Sequence, residues 1–114
     1  MLGVGAVEQK TVWTHAPYSN YGWWVDATAR GTDLQSTYAR EKTKVEGASP
    51  IAFDGWAAWD GTSFATPIAA AMIARTMSRD GVGTAAEAQT QLLATSPAAP
   101  QPDFPLAVLL DELA

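Results

Sequence analysis

Several kinds of side chain are absent or scarce in this sequence of 114 residues, and each scarcity removes a class of chemistry. There is no cysteine, which excludes a disulfide, a thiolate nucleophile and a cysteine-based zinc site. His15 is the one histidine, so it lacks the second imidazole that most transition-metal sites use. The carboxylates are scattered without the spacing of a calcium-binding loop. We therefore expect neither a metal nor another cofactor.

Positive charge and long apolar runs are scarce as well. Seven Lys and Arg against twelve Asp and Glu give a formal net charge of -5, and no basic cluster suits a phosphate backbone. The longest strongly apolar run, residues 68–74, is far shorter than the roughly 20 residues that span a bilayer. Residues 1–7 lack the basic start and the cleavage site of a signal peptide. Neither nucleic acid nor a membrane is an expected partner, and the length fits one domain or part of one.

The N-terminal half carries the patterns of strands. Residues 2–7 are small or β-branched without polar alternation, which is typical of a strand buried on both faces. Aromatic and β-branched residues predict a second strand over 23–28. Segments 34–38 and 56–59 are predicted to form the two arms of a hairpin, and the charge-mixed residues 40–50 between them a solvated loop.

Helical patterns follow. A helix is predicted over 63–79, with its proline near the start, and its apolar residues surround it so completely that burial on every side is expected. Residues 80–83 end it, and Thr84 with Glu87 forms a capping box that opens a second helix to about residue 95. Four prolines mark residues 96–105 as a linker, after which residues 106–113 are predicted to form a short helix.

Ser63 is the residue with the most suggestive surroundings. It stands where an extended segment enters the first helix, and backbone N–H groups at such a terminus, with about half a positive charge from the macrodipole, stabilise negative charge. Gly61 before it would let backbone or substrate approach closely. The simpler interpretation is that Ser63 or Thr62 merely caps the helix.

The residues around this serine resemble a motif of a known protein family. Residues 61–67, Gly-Thr-Ser-Phe-Ala-Thr-Pro, resemble the serine motif of the subtilisin-like serine peptidases. Residues 18–22, Tyr-Ser-Asn-Tyr-Gly, followed by Val-Asp at 25–26 and by Gly31, resemble a second block of that family, and residues 4–7 resemble the strand before it. The order and spacing of the three blocks fit.

The resemblance implies an α/β fold, the C-terminal portion of a three-layer subtilisin-like domain with a mostly parallel sheet, a hairpin and a buried central helix. Residues 1–95 would belong to a peptidase S8 catalytic domain, and residues 96–114 would form a proline-rich segment with a short helix. The family is mostly secreted, which does not fix the location of this chain.

The same resemblance assigns roles to individual residues. Ser63 would be the nucleophile and, through its backbone N–H, one oxyanion-hole donor. Thr62 and Phe64 would contact substrate, Phe64 standing where many relatives have methionine. Arg30 replaces the proline usual before Gly31, which is expected to loosen that turn.

Other parts of the family's machinery do not occur in this sequence. The Asp-Ser/Thr-Gly and His-Gly-Thr blocks are absent, and Asn20, the one asparagine, is not in the oxyanion block. We expect the isolated chain to be inactive, to act on a peptide or protein only when a complementing N-terminal segment supplies those groups, and to be prone to self-association. The alternative is a non-catalytic interaction module that binds an anion at the helix terminus.

Three further sets of residues have competing interpretations. His15 could act as a substitute base, but its position favours an exposed loop histidine. Asp26 and Asp60 could orient such a base, but are expected to be structural or surface groups. The tryptophans could form a carbohydrate or peptide platform, but aromatic residues flanking strands more often belong to the core. These tryptophans are Trp13, Trp23, Trp24, Trp56 and Trp59.

Overall fold

The computed structural model describes residues 1–9, 12–44 and 46–97 and the backbone of 107–109, and it has mixed α/β structure. Its main sheet has four strands in the order β2-β1-β3-β8. These are β1 (Val4–Gln9), β2 (Trp13–His15), β3 (Ala27–Arg30) and β8 (Ala107–Leu109). The pairs β1–β3 and β3–β8 are parallel, whereas β2 runs antiparallel to β1.

Two small antiparallel strand pairs follow β3 in the sequence and precede the helices. β4 (Leu34–Thr37) pairs antiparallel with β7 (Trp56–Trp59), which confirms the predicted hairpin. β5 (Lys42–Thr43), inside the predicted loop 40–50, pairs with β6 (Ile51–Ala52), which directly follows that loop. One part of the predicted loop is therefore a short strand.

Two helices cover the sheet. Helix α1 (Thr62–Asp80) packs against β1 and β3, and α2 (Ala85–Thr95) packs along α1. Both agree with the predicted helices to within a residue at each end. Gly81 ends α1 in the left-handed conformation at φ 67°, which glycine adopts without penalty. The Thr84 side chain accepts a hydrogen bond from the Glu87 N–H, as the capping box predicts. Neither described helix combines the length and apolarity that crossing a bilayer requires.

The core between sheet and helices is built from very small side chains. Buried alanines from three strands or turns and from α1 meet there, and larger apolar residues pack only around their edge. Small side chains let the helix approach the sheet closely, but each buries little apolar area, so the core contributes modestly to stability. The alanines are Ala6, Ala16, Ala27, Ala29, Ala65 and Ala69.

Two predicted strands differ from the structure in their positions. The first strand begins at Val4 and extends to Gln9, two residues later than predicted. The strand predicted over 23–28 is instead Ala27–Arg30. Trp23 and Trp24 fall in a turn that the hydrogen bond from the Val25 N–H to the Gly22 carbonyl closes. This local bond outweighs the extended preference of aromatic side chains.

The predicted burial of α1 on every side is wrong for the described chain. Ala65, Ala69 and Thr76 are buried against the sheet, but Ala70 and Ala74 on other faces are exposed. The reason is that the sheet and α2 cover only part of the helix circumference.

The tryptophans were predicted to be core residues, and that prediction is also wrong. Trp13 is half-buried, while the other four are 54% to 85% exposed. Trp56 and Trp59 lie on a two-stranded hairpin, and among the described residues no second layer covers its outer face.

The C-terminal prediction is wrong where it can be compared. Residues 107–109, inside the predicted helix 106–113, form β8, because the open edge of β3 offers ladder hydrogen bonds to a short apolar segment. The remainder of that predicted helix, and the proline-rich linker from residue 98 onward, lie outside the described residues.

Candidate active site

Ser63 lies in the first turn of α1 with its side chain exposed. The N-cap residue is Gly61, and no side chain caps the helix. Within the described part of the chain the Ser63 hydroxyl has no hydrogen-bond partner, so the interpretation that Ser63 or Thr62 caps α1 is wrong. The Phe64 N–H donates to the Gly61 carbonyl at 3.1 Å. The first N–H groups of an α-helix lack the acceptor four residues earlier, and this end of a helix favours negative charge.

The turn before Ser63 is attached to the end of β3. The Gly61 N–H donates to the Gly31 carbonyl at 2.8 Å, and the Asp33 N–H donates to Oδ1 of Asp60 at 2.6 Å. Gly31 itself donates to the Val7 carbonyl of β1 at 3.1 Å. The segment that leads into α1 is therefore tied to the central sheet through residues 31–33.

Gly31 is required at this junction because of close approach. A Cβ placed on it would lie 2.6 Å from Ala6 Cβ and 2.9 Å from the Gly61 carbonyl oxygen. Neither atom is the end of a flexible side chain, so neither can move aside cheaply. The sequence suggested that backbone or substrate approaches closely at Gly61. In the structure the Gly61 backbone lies close to Gly31, and it is Gly31 that has no room for a side chain.

The Tyr-Ser-Asn-Tyr-Gly block contacts both β1 and the 31–33 loop. The buried Ser19 hydroxyl accepts from the Ala6 N–H at 2.9 Å and donates to the Asn20 carbonyl at 3.1 Å. The Tyr18 hydroxyl and the Thr32 hydroxyl are 2.7 Å apart. Two motifs far apart in sequence therefore meet around the same loop.

A mostly apolar pocket of about 310 Å³ adjoins the serine turn. The hairpin β4–β7 supplies most of its wall, and Tyr38, Phe53 and Phe64, the residue after Ser63, supply the rest. Of the two residues assigned to substrate contact, Phe64 lines this pocket and Thr62 is half-buried at the helix start. The lining residues are Leu34, Ser36, Tyr38, Phe53, Ala57, Trp59 and Phe64.

His15 differs from the exposed loop histidine that was expected. It ends strand β2, is half-buried, and packs edge-on against Tyr21 with ring centroids 5.4 Å apart. Its Nε2 is enclosed and has no hydrogen-bond partner among the described residues. No described hydrogen bond joins this imidazole to Ser63 or to a carboxylate.

Asp26 and Asp60, the two carboxylates that could have oriented a histidine base, each accept a hydrogen bond from a backbone N–H instead. Oδ2 of Asp26 accepts from the Gly3 N–H at 2.7 Å, and Asp60 holds Asp33 as described above. This agrees with the prediction that both are structural or surface groups, since both are exposed and each binds a backbone N–H. In the ranges that the structure describes, no group of three or more potential ligand side chains gathers that could hold a metal ion.

The described residues form a mixed α/β unit with an exposed serine at a helix N-terminus that no side chain caps. The subtilase family, Peptidase_S8, matches residues 1–107, and the chain belongs to this family. It is a segment of a subtilisin-like serine peptidase, a class of hydrolases that cleave proteins. Comparison with curated proteins gives no match.

Sequence reasoning missed the network that holds the serine turn. Nothing local marks Asp60 as the acceptor for Asp33, 27 residues earlier, or Arg30 as a donor to the following loop. The available signal was the short polar run at residues 30–33 after a buried strand, since such residues in a tight turn commonly bind nearby backbone.

Proposed function

We propose that Ser63 is the nucleophile of this peptidase segment and that its own backbone N–H is one oxyanion-hole donor. The observation that carries the proposal is the exposed Ser63 hydroxyl at a helix terminus that no side chain caps. Backbone N–H groups fixed at a helix N-terminus can stabilise the oxyanion of a tetrahedral intermediate. Family membership supports the same role.

The reaction is peptide-bond hydrolysis through an acyl-enzyme. A base removes the Ser63 hydroxyl proton as Oγ attacks the carbonyl carbon, and the oxyanion collapses with loss of an amine that takes that proton. Water then attacks the ester and releases the acid, returning the proton to Oγ. Each step requires an imidazole within hydrogen-bond reach of Oγ, about 2.6 to 3.2 Å.

We infer that this base comes from outside the 114 residues. His15 is the one imidazole in the sequence, and its ring is held in β2 against Tyr21. Asp26 and Asp60 each bind a backbone N–H. The isolated chain should therefore lack turnover, and a complementing N-terminal segment that carries the Asp and His blocks of a subtilase should restore it.

Docking of that segment would also complete the domain. In this proposal it supplies the remaining part of a three-layer fold and covers the exposed face of α1. Burial of apolar surface would drive the association. Thr62 and Phe64 would then contact the bound peptide, since both flank Ser63 and Phe64 lines the adjoining pocket.

Turnover of a chromogenic peptide tests the proposal. The chain alone should cleave no faster than its Ser63→Ala variant, and the mixture with the complementing segment should show turnover that Ser63→Ala abolishes. Ser49→Ala, in an exposed loop, is the matched control and should retain full activity. Ser63-dependent turnover by the chain alone would contradict the inference about the base. A stable complex without turnover would instead favour the non-catalytic, anion-binding module.

A further inference from the structure

The side chain of Arg30 is bonded to the loop that holds the serine turn. Its Nε donates to the Thr32 carbonyl at 3.1 Å, and its Nη2 donates to the Asp33 carbonyl at 3.0 Å. We propose that Arg30 is a positioning residue for Ser63. This inference rests on the proposed function of Ser63, because positioning matters only if that hydroxyl reacts.

The conformation of the 31–33 loop needs support from surrounding contacts. Asp33 has φ 54° and is the one non-glycine residue with positive φ in the described chain. Aspartate tolerates this left-handed region better than most residues, but the conformation still carries a cost that surrounding contacts must offset. Asp33 has such contacts on both sides, with its N–H on Asp60 and its carbonyl on Arg30.

The 31–33 loop sets the position of the residues before Ser63. Asp60 binds the Asp33 N–H, and Gly61 binds the Gly31 carbonyl. A shift of residues 31–33 would therefore move Asp60 and Gly61, and Ser63 follows Gly61 by two positions. Arg30 acts on the serine only through this chain of bonds.

An arginine suits this position better than a lysine would. The sequence led us to expect a looser turn where Arg30 replaces the family's proline. The structure shows two hydrogen bonds from one guanidinium to successive carbonyls instead. The planar, forked guanidinium is suited to two acceptors at once, whereas a lysine ammonium is a point donor on a flexible stem. The Arg30 side chain thus restrains the turn through hydrogen bonds, whereas a proline would restrain it through its ring.

Amide hydrogen exchange of the isolated chain, followed by ¹⁵N NMR, tests the proposal without requiring any activity. In Arg30→Ala the Asp33 and Gly61 amides should exchange about threefold to tenfold faster, as expected for loss of hydrogen bonds of ordinary net strength. Amides of the β1–β3 ladder should be unchanged. Arg30→Lys should give intermediate rates, and Arg40→Ala, at an exposed arginine outside this loop, should match the parent chain.

Two results would overturn the inference. Unchanged amide exchange at Asp33 and Gly61 in Arg30→Ala would show that the two Arg30 hydrogen bonds do not restrain the 31–33 loop. An equal rise across the whole β1–β3 ladder would show that Arg30 supports the sheet in general. Failure of Ser63 as nucleophile would leave the exchange pattern as expected, so the two proposals fail separately.

Discussion

Replacing Gly31 with alanine should strongly destabilise the chain. The added Cβ would lie 2.6 Å from Ala6 Cβ, about 1 Å inside the separation of roughly 3.5 to 4.0 Å at which two carbons pack well. Ala6 is fully buried in β1, and the second obstacle, the Gly61 carbonyl oxygen at 2.9 Å, is backbone. The strand and the serine turn would have to move apart.

The magnitude follows from the kind of atoms that must move. Overpacking of a well-ordered site costs about 1 to 3 kcal/mol, and rigid neighbours on two sides place Gly31→Ala in the upper half of that range. The free energy of unfolding of a small domain falls by about 1 to 3 kcal/mol for each 1 M increase in urea concentration. The loss expected for Gly31→Ala should therefore lower its urea midpoint by about 1 M.

The assay is urea denaturation followed by far-UV circular dichroism. Gly83→Ala is the control, because a Cβ there meets nothing closer than Glu87 Oε2 at 4.0 Å. That variant should be unchanged, or more stable by up to about 1 kcal/mol, because alanine lowers the entropy of the unfolded chain. Equal midpoints for Gly31→Ala and Gly83→Ala would refute the argument that the junction excludes a side chain.

Three further predictions follow from other parts of the fold. Thr84→Ala removes the N-cap of α2 and its bonds to Glu87, and thermal denaturation should show a loss of about 0.5 to 2 kcal/mol, whereas Thr84→Ser should stay close to the parent. The side-chain hydrogen bond and charge of Arg79 hold the pKa of Asp80 below its ordinary value of 3.8. On acidification the unfolded chain therefore takes up this proton at a higher pH than the folded chain does. The stabilisation by the Asp80 carboxylate is fully present above the pKa of the unfolded chain and is lost as the pH falls through the lower pKa of the folded chain. The difference in the free energy of unfolding between the parent chain and Asp80→Asn should shrink as the pH falls from about 5 to about 3. The exposed tryptophans and the uncovered face of α1 predict self-association in light scattering, and a monomer at all concentrations would contradict this.

The features that the sequence predicted well are set by local chemistry. Helix α1 ends where Gly81 adopts a left-handed conformation, and α2 begins at a threonine whose capping partner is three residues away. Residues 34–37 alternate and residues 56–59 carry aromatic side chains, both of which favour strands, and the two strands pair with each other. In each case the interaction that determines the element lies within that element or in its direct partner.

The features that the sequence did not predict depend on distant contacts. Strand β8 forms because β3 has an open edge, which no property of residues 107–109 reveals. Trp23 and Trp24 have strand-forming side chains, but their turn and their exposure depend on what surrounds them. At the candidate site the motif identified Ser63, whereas the bonds from Arg30 and Asp60 that hold its turn appear only once the chain is folded.

The central claim is that Ser63 carries the reactive hydroxyl and that its reactivity awaits a base from elsewhere. The most direct test is to treat the chain with a fluorophosphonate, alone and mixed with a subtilase segment carrying the Asp and His blocks, and to locate the adduct by tandem mass spectrometry. We predict an adduct on Ser63 in the mixture and none on the chain alone. An adduct on a different serine, or labelling that survives Ser63→Ala, would contradict the claim.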